Sequence, residues 1–203
     1  MVELATIIQY LLIILISTAI QLAIQKYIVS AGYEIDKRMG IIGSILPGIL
    51  ACYIYYSVGN GAMTWIYSVL IQILTLITLV DRRTKLIPNR LNLSVGVVGL
   101  LGMLYYGNYM DSLAAFLLSG LLFFGLALIS KGGIGGGDIK LIAPLGLVFG
   151  IFNTLFIIFY SFIFGAIAGI IMLISKRGSM KSELAMGPYI ALATVYLIIF
   201  YHV

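Results

Sequence analysis

Charge is scarce in this sequence. Twelve Lys and Arg and seven Asp and Glu serve 203 residues, 9% of the chain, while 62% is hydrophobic. Soluble proteins carry about 25% charged residues, so a water-facing fold of this size would lack the side chains to cover itself. Disorder is excluded by the same numbers, because disordered segments are poor in apolar residues. Cys52 is the only cysteine, which excludes a disulfide framework. A net charge of +5 suggests nucleic acid at first sight, but the basic residues fall between apolar runs and form no continuous face. The class that remains is an all-α polytopic membrane bundle, read as a single domain over residues 1–203.

The stretches free of charge mark the expected spans: Leu4 to Gln25, Met39 to Val80, Leu91 to Met110, Ser112 to Ser130, Leu141 to Ser175 and Leu184 to Val203. A crossing helix needs about 20 apolar residues. Met39 to Val80 therefore holds two spans around Gly59-Asn60-Gly61. Leu141 to Ser175 is too long for one span and short for two. Basic residues gather on the cytoplasmic side of membrane proteins. The loops carrying Lys26, Lys37 and Arg38, then Arg82, Arg83, Lys85 and Arg90, then Lys131 and Lys140, then Lys176, Arg177 and Lys181 all fall on one side only if the chain turns near Asn153. The expectation is about eight crossings with both termini outside. The first run lacks a basic start and is longer than a signal-peptide core, so it is expected to remain a span. His202 is expected at an interface.

Five of the seven acids read as solvated loop charges: Glu3, Glu34, Asp36, Asp111 and Glu183. Asp81 and Asp138 differ. Asp81 directly follows Leu76 to Val80, and Asp138 lies between Gly135-Gly136-Gly137 and Ile139-Lys140-Leu141. Both are expected at the same membrane face and similar depth. For an isolated aspartate the plain alternative is a helix-end marker. Boundary acids are costly unless paired or hydrated, and two carboxylates brought together repel, so that one keeps a proton. Such a pair suits hydrolysis: one carboxylate takes a proton from water while its protonated partner polarises a carbonyl. The glycine cluster Lys131-Gly132-Gly133-Ile134-Gly135-Gly136-Gly137 is expected to offer positive φ and close backbone approach beside Asp138. A phosphate loop fits poorly, because Asp138 stands where an anion cradle needs Lys or Gly.

Three segments together resemble the type IV prepilin peptidases. Asp81-Arg82-Arg83-Thr84-Lys85-Leu86-Ile87-Pro88-Asn89 is similar to their first motif, an Asp followed six residues later by Ile-Pro-Asn or Ile-Pro-Asp. Gly135-Gly136-Gly137-Asp138-Ile139-Lys140-Leu141 resembles their Gly-x-Gly-Asp-x-Lys-Leu, and Met186-Gly187-Pro188-Tyr189 their Gly-Pro segment before the last helix. The resemblance covers the chain from about Val80 onward. It implies a membrane aspartyl endopeptidase that cuts a basic leader from prepilins or pseudopilins, after a glycine, on the cytoplasmic side of the cell membrane. It implies Asp81 and Asp138 as the catalytic pair. Gly135 and Gly137 would shape the substrate path, with Gly187, Pro188 and Pro88 around it, and no metal or organic cofactor would be needed. Many bacterial members carry a large insert after the first span, with two Cys-x-x-Cys pairs for zinc, and also N-methylate the new terminus. The corresponding loop here, Tyr27 to Gly40, has no cysteine, and methylation is expected to be absent. Lys85 and Lys140 are read as topology charges and Pro88 as a helix stop. The rival readings are a proton-coupled transporter or channel using the paired aspartates, whose site would lie nearer the midplane, and a structural assembly protein with vestigial acids.

Overall fold

The computed structural model describes residues 2–130, 133–175 and 184–201, with side chains from residue 6 onward. Lys131, Gly132, Lys176, Arg177, Lys181, Glu183 and His202 lie outside the described residues. Within them the chain is helical throughout and no strand occurs: α1 Val2–Ser30, α2 Lys37–Val58, α3 Ala62–Thr84, α4 Asn89–Tyr106, α5 Tyr109–Ile129, α6 Gly136–Ile174 and α7 Gly187–Tyr201. Five are long and apolar enough to cross a membrane: α1 from Thr6, α2, α3, α5 and α6.

The turns follow local chemistry. Asp36 caps α2, accepting the N–H groups of Arg38 at 2.9 Å and Met39 at 3.3 Å. Those bonds, Met39 first, hold its carboxyl below the ordinary carboxylate range, so the cap is charged at neutral pH and its contribution fades only as pH falls through that lowered value. Lys85 closes α3 in the left-handed conformation, φ 54°, with its N–H on the Asp81 carbonyl at 2.8 Å. Pro88 then occupies the cap position of α4, its carbonyl taking the N–H groups of Leu91 and Asn92. Pro88 therefore starts α4; the helix stop expected there is Lys85, since fixed φ suits a helix entry.

The long helix α6 is two helices. Gly150 breaks it, with φ 70° and ψ −178°. A methyl placed on Gly120 of α5 would touch the Ala143 methyl at 3.3 Å, and Phe123, one turn along α5, packs its ring 5.9 Å from Phe162. In a straight helix Ala143 and Phe162 would stand about 28 Å apart. The chain must therefore double back at Gly150, giving α6 an outgoing and a returning half. The turn was expected near Asn153. It falls at Gly150 because that backbone conformation is essentially restricted to glycine, while Asn153 stays helical and donates to the Phe149 carbonyl. Asp111, read from the sequence as a solvated charge, caps the returning half: the Ile151 N–H meets its two oxygens at 3.4 and 3.3 Å.

With α6 doubled, eight helical segments alternate in direction. Lys26, Lys37, Arg38, Arg82, Arg83, Lys85, Arg90 and Lys140, the basic residues described, all stand at one end. Cross-links between elements occur there too: Arg83 with Glu34 at 3.6 Å and Arg90 with the Tyr27 hydroxyl at 2.6 Å. Helix α3 is central. Its Leu70, Leu74, Ile77 and Val80 join Leu141 and Leu145 of α6 and Ile190 and Leu197 of α7 in the buried core. In lipid, helices associate through close packing rather than water exclusion, and small residues sit at the contacts. A methyl on Gly146 would lie 2.7 Å from the Ala115 backbone, and one on Gly99 would lie 2.7 Å from the Pro144 carbonyl.

Candidate active site

Asp81 and Asp138 arrive at the basic end from different helices. Asp81 lies in the last turn of α3 and Asp138 in the first turn of α6. Both are buried, 3% and 8% exposed, and among the described residues neither forms an ion pair. The charge of Asp81 bears on Asp138 through space. Two carboxylates are thus withdrawn from water with no cation paired to either among the described residues, which is not how a structural ion network is built.

Each acid takes a helix N-terminus. The C-terminal end of α3 presents carbonyls, a poor neighbour for a carboxylate. The offset comes from α7, whose Gly187 N–H donates to Asp81 Oδ2 at 3.0 Å. A methyl on Gly187 would sit 2.7 Å from that oxygen, so only glycine lets the backbone come this near. Asp138 is the third residue of α6, where a carboxylate meets the positive end of its own helix. Its N–H bonds the Gly135 carbonyl at 3.0 Å, and a methyl on Gly135 would lie 3.1 Å from Asp138 Oδ2.

The glycine cluster works differently from the sequence expectation. None of its described members has positive φ; Gly135 has φ −69°. Their use is close approach. Gly135 and Gly136 are exposed, and nothing lies within 4 Å of where a Gly136 methyl would be, so the backbone just before Asp138 is bare of side chains. Gly137 faces inward: a methyl there would meet Ile87 at 3.1 Å, and its carbonyl accepts Asn92 Nδ2 at 3.3 Å. Pro88 is buried at the start of α4. Pro188 instead lines an apolar groove of about 160 Å³ with Leu46, Thr78 and Leu192, between α2, α3 and α7.

Two residues gain roles that sequence reading missed. Lys140 Nζ donates to Asn89 Oδ1 at 3.2 Å, tying the first residue of α4 to the N-terminal part of α6, where a topology charge was expected. Asn92 makes the second tie through Gly137. The position of Lys140, two residues after an acid and on the adjoining helical turn, was the available signal for the first; for Asn92 the sequence offers none.

Comparison with known proteins places this geometry in context. A family model described as the type IV leader peptidase family matches residues 68–170, which contain both acids but not Gly187 or Pro188. A prepilin leader peptidase/N-methyltransferase of Bacillus subtilis (strain 168) is 32% identical over 133 residues, 63% of this chain and 52% of its own length. A protein of the same name from Xanthomonas campestris is 32% identical over 157 residues, 73% of this chain and 54% of its own. The chain spans about half the length of the curated relatives it matches. No solved structure matches.

Proposed function

Because the chain belongs to the type IV leader peptidase family, we propose that it is a membrane aspartyl endopeptidase that removes the basic leader from prepilin-like proteins at the cytoplasmic face. It is an integral membrane protein of helices. The observation that carries the reading is the pair of buried acids, Asp81 and Asp138, which form no ion pair among the described residues and stand at the same end of the bundle, with exposed Gly135 and Gly136 next to Asp138. Gly137 packs against Ile87 and accepts Asn92, Pro88 caps α4, Gly187 holds Asp81, and Pro188 borders the apolar groove between α2, α3 and α7.

The chemistry follows from the pair. The ionised carboxylate takes a proton from water as the water oxygen attacks the scissile carbonyl carbon. The protonated partner donates its proton to the carbonyl oxygen, giving a neutral tetrahedral diol. Collapse of the diol breaks the C–N bond as the amine nitrogen takes a proton from one carboxyl and the other recovers one from the diol. The pair titrates as a unit, so the base and acid roles belong to it jointly. The relatives' name joins a peptidase to an N-methyltransferase; the acid pair supports the peptidase half alone, and we propose no methylation. A proton-coupled transporter is less well supported, since both acids stand at helix ends rather than mid-span.

Replacing Gly187 with Ala tests the anchoring of Asp81. The added methyl displaces the carboxylate and strains the hydrogen bond it accepts from the Gly187 N–H. A misplacement of this kind is expected to lower the cleavage rate by roughly 10- to 100-fold with little loss of folded protein, measured as leader removal in detergent. An unchanged rate would remove Gly187 from the site. Sidedness is tested by replacing Cys52 and placing single cysteines at Leu86 or Asn108. A membrane-impermeant maleimide added to intact cells should label the Asn108 position and spare the Leu86 position; the reverse pattern would place the acids outside.

A further inference from the structure

Asn92 is tied to Gly137, the residue before Asp138, with half of its amide bonded. The side chain is 6% exposed. Its Nδ2 donates to the Gly137 carbonyl at 3.3 Å. Since a carbonyl can only accept, the amide orientation is fixed and Oδ1 must point the other way. That oxygen is buried and has no hydrogen-bond partner among the described residues. Buried acceptors are nearly always paired, and one left open in a folded protein calls for an explanation.

Its location supplies one. Helix α4 packs against both α3 and α6, the two helices that carry the acids. Asp81 lies three residues before the end of α3, Asn92 three after the start of α4, and Asp138 two after the start of α6. The three side chains therefore stand at similar depth. The other buried oxygens without partners, on Ser17 and Gln21, belong to α1, which carries neither acid.

We infer that Asn92 is the water-orienting residue of the acid pair, its Oδ1 accepting the hydrogen of the attacking water that is not passed to a carboxylate. This rests on the peptidase reading. A water that attacks must direct one O–H at the base and its lone pair at the carbonyl carbon; its second O–H needs an acceptor that fixes the remaining rotation. A neutral amide oxygen does this without competing for the transferred proton. The same side chain fixes the first turn of α6 through Gly137, so the water and Asp138 are held in one frame.

The test compares wild type with Asn92→Leu, Asn92→Ser and Asn92→Asp on one prepilin-like substrate, with Asp81→Asn as the inactive control. Asn92→Leu keeps the branched shape and loses both polar atoms; kcat is expected to fall by roughly 10- to 100-fold, with KM within about twofold. Asn92→Asp keeps an oxygen in place and adds a third ionisable group, so its pH–rate profile should move. Thermal melting in detergent establishes folding, and Asn92→Ser serves if the leucine variant does not fold. Wild-type kcat in the leucine or serine variant, a loss confined to KM, or a superimposable pH profile for Asn92→Asp would overturn the inference. If wild type leaves every substrate intact, the peptidase reading has failed on its own. Carbodiimide modification of Asp138, followed by mass spectrometry across pH, then decides Asn92 separately: a shifted curve in Asn92→Asp supports its place beside the pair, and an identical curve overturns it.

Discussion

Asp81→Asn and Asp138→Asn are each expected to lower leader removal by about 10³-fold or more, with folding intact. Asparagine matches the shape of aspartate, and at position 81 it can still accept the Gly187 N–H that the carboxylate accepts at 3.0 Å. What it cannot do is exchange a proton. The two acids come from helices far apart in sequence, and no Lys or Arg among the described residues pairs with either, so no neighbour stands ready to replace the lost group. A helix-end marker would behave otherwise: its removal would alter stability slightly and leave turnover alone. Mass spectrometry of the substrate after timed incubation, with melting curves for each variant, separates the two outcomes.

Gly150→Val is expected to be the most damaging change away from the site. At φ 70° and ψ −178° a side chain is strained by about 1–3 kcal/mol before any contact is considered. The added carbon would also overlap the Asp111 carboxylate that caps the returning half of α6. Relieving the clash opens the turn. The returning half then loses its seat on α5 and α7, and with it the support behind Gly187. The melting temperature in detergent should drop by about 5–10 °C or more, with activity lost in proportion to folded protein. Asp111→Asn, which keeps an acceptor, should be far milder. A Gly150→Val protein that melts like wild type would mean that α6 does not double back there.

Much of this was legible in the sequence because lipid imposes simple rules. Apolar run length gave the helices, and the basic residues, at one end in the structure, gave the alternation that requires α6 to reverse. Scarce charge left Asp81 and Asp138 as the acids hardest to explain. The hidden parts are of another kind. The Gly187 N–H that holds Asp81 is a backbone group, identical in every residue but proline, and it reaches across 106 positions. The cap at Asp111 and the tie from Asn92 to Gly137 depend on which helix ends meet in space, which hydropathy does not encode. The exact turn at Gly150 was missed because Asn153, the polar break in an apolar run, drew attention from a glycine three residues earlier. Positive φ was expected in the glycine cluster, whose described members lack it; Gly150 is among the glycines that have it, where a reversal demands it, and beside Asp138 the glycines serve close approach.

The most direct measurement is a double-mutant cycle on the acids: leader-cleavage rates for wild type, Asp81→Asn, Asp138→Asn and the double variant, on one substrate under one condition. Two carboxyls that share one task fail together, so the double variant should be no slower than the slower single variant. Losses that multiply, or a single variant that cleaves at the wild-type rate, would show that Asp81 and Asp138 do not act as a catalytic pair.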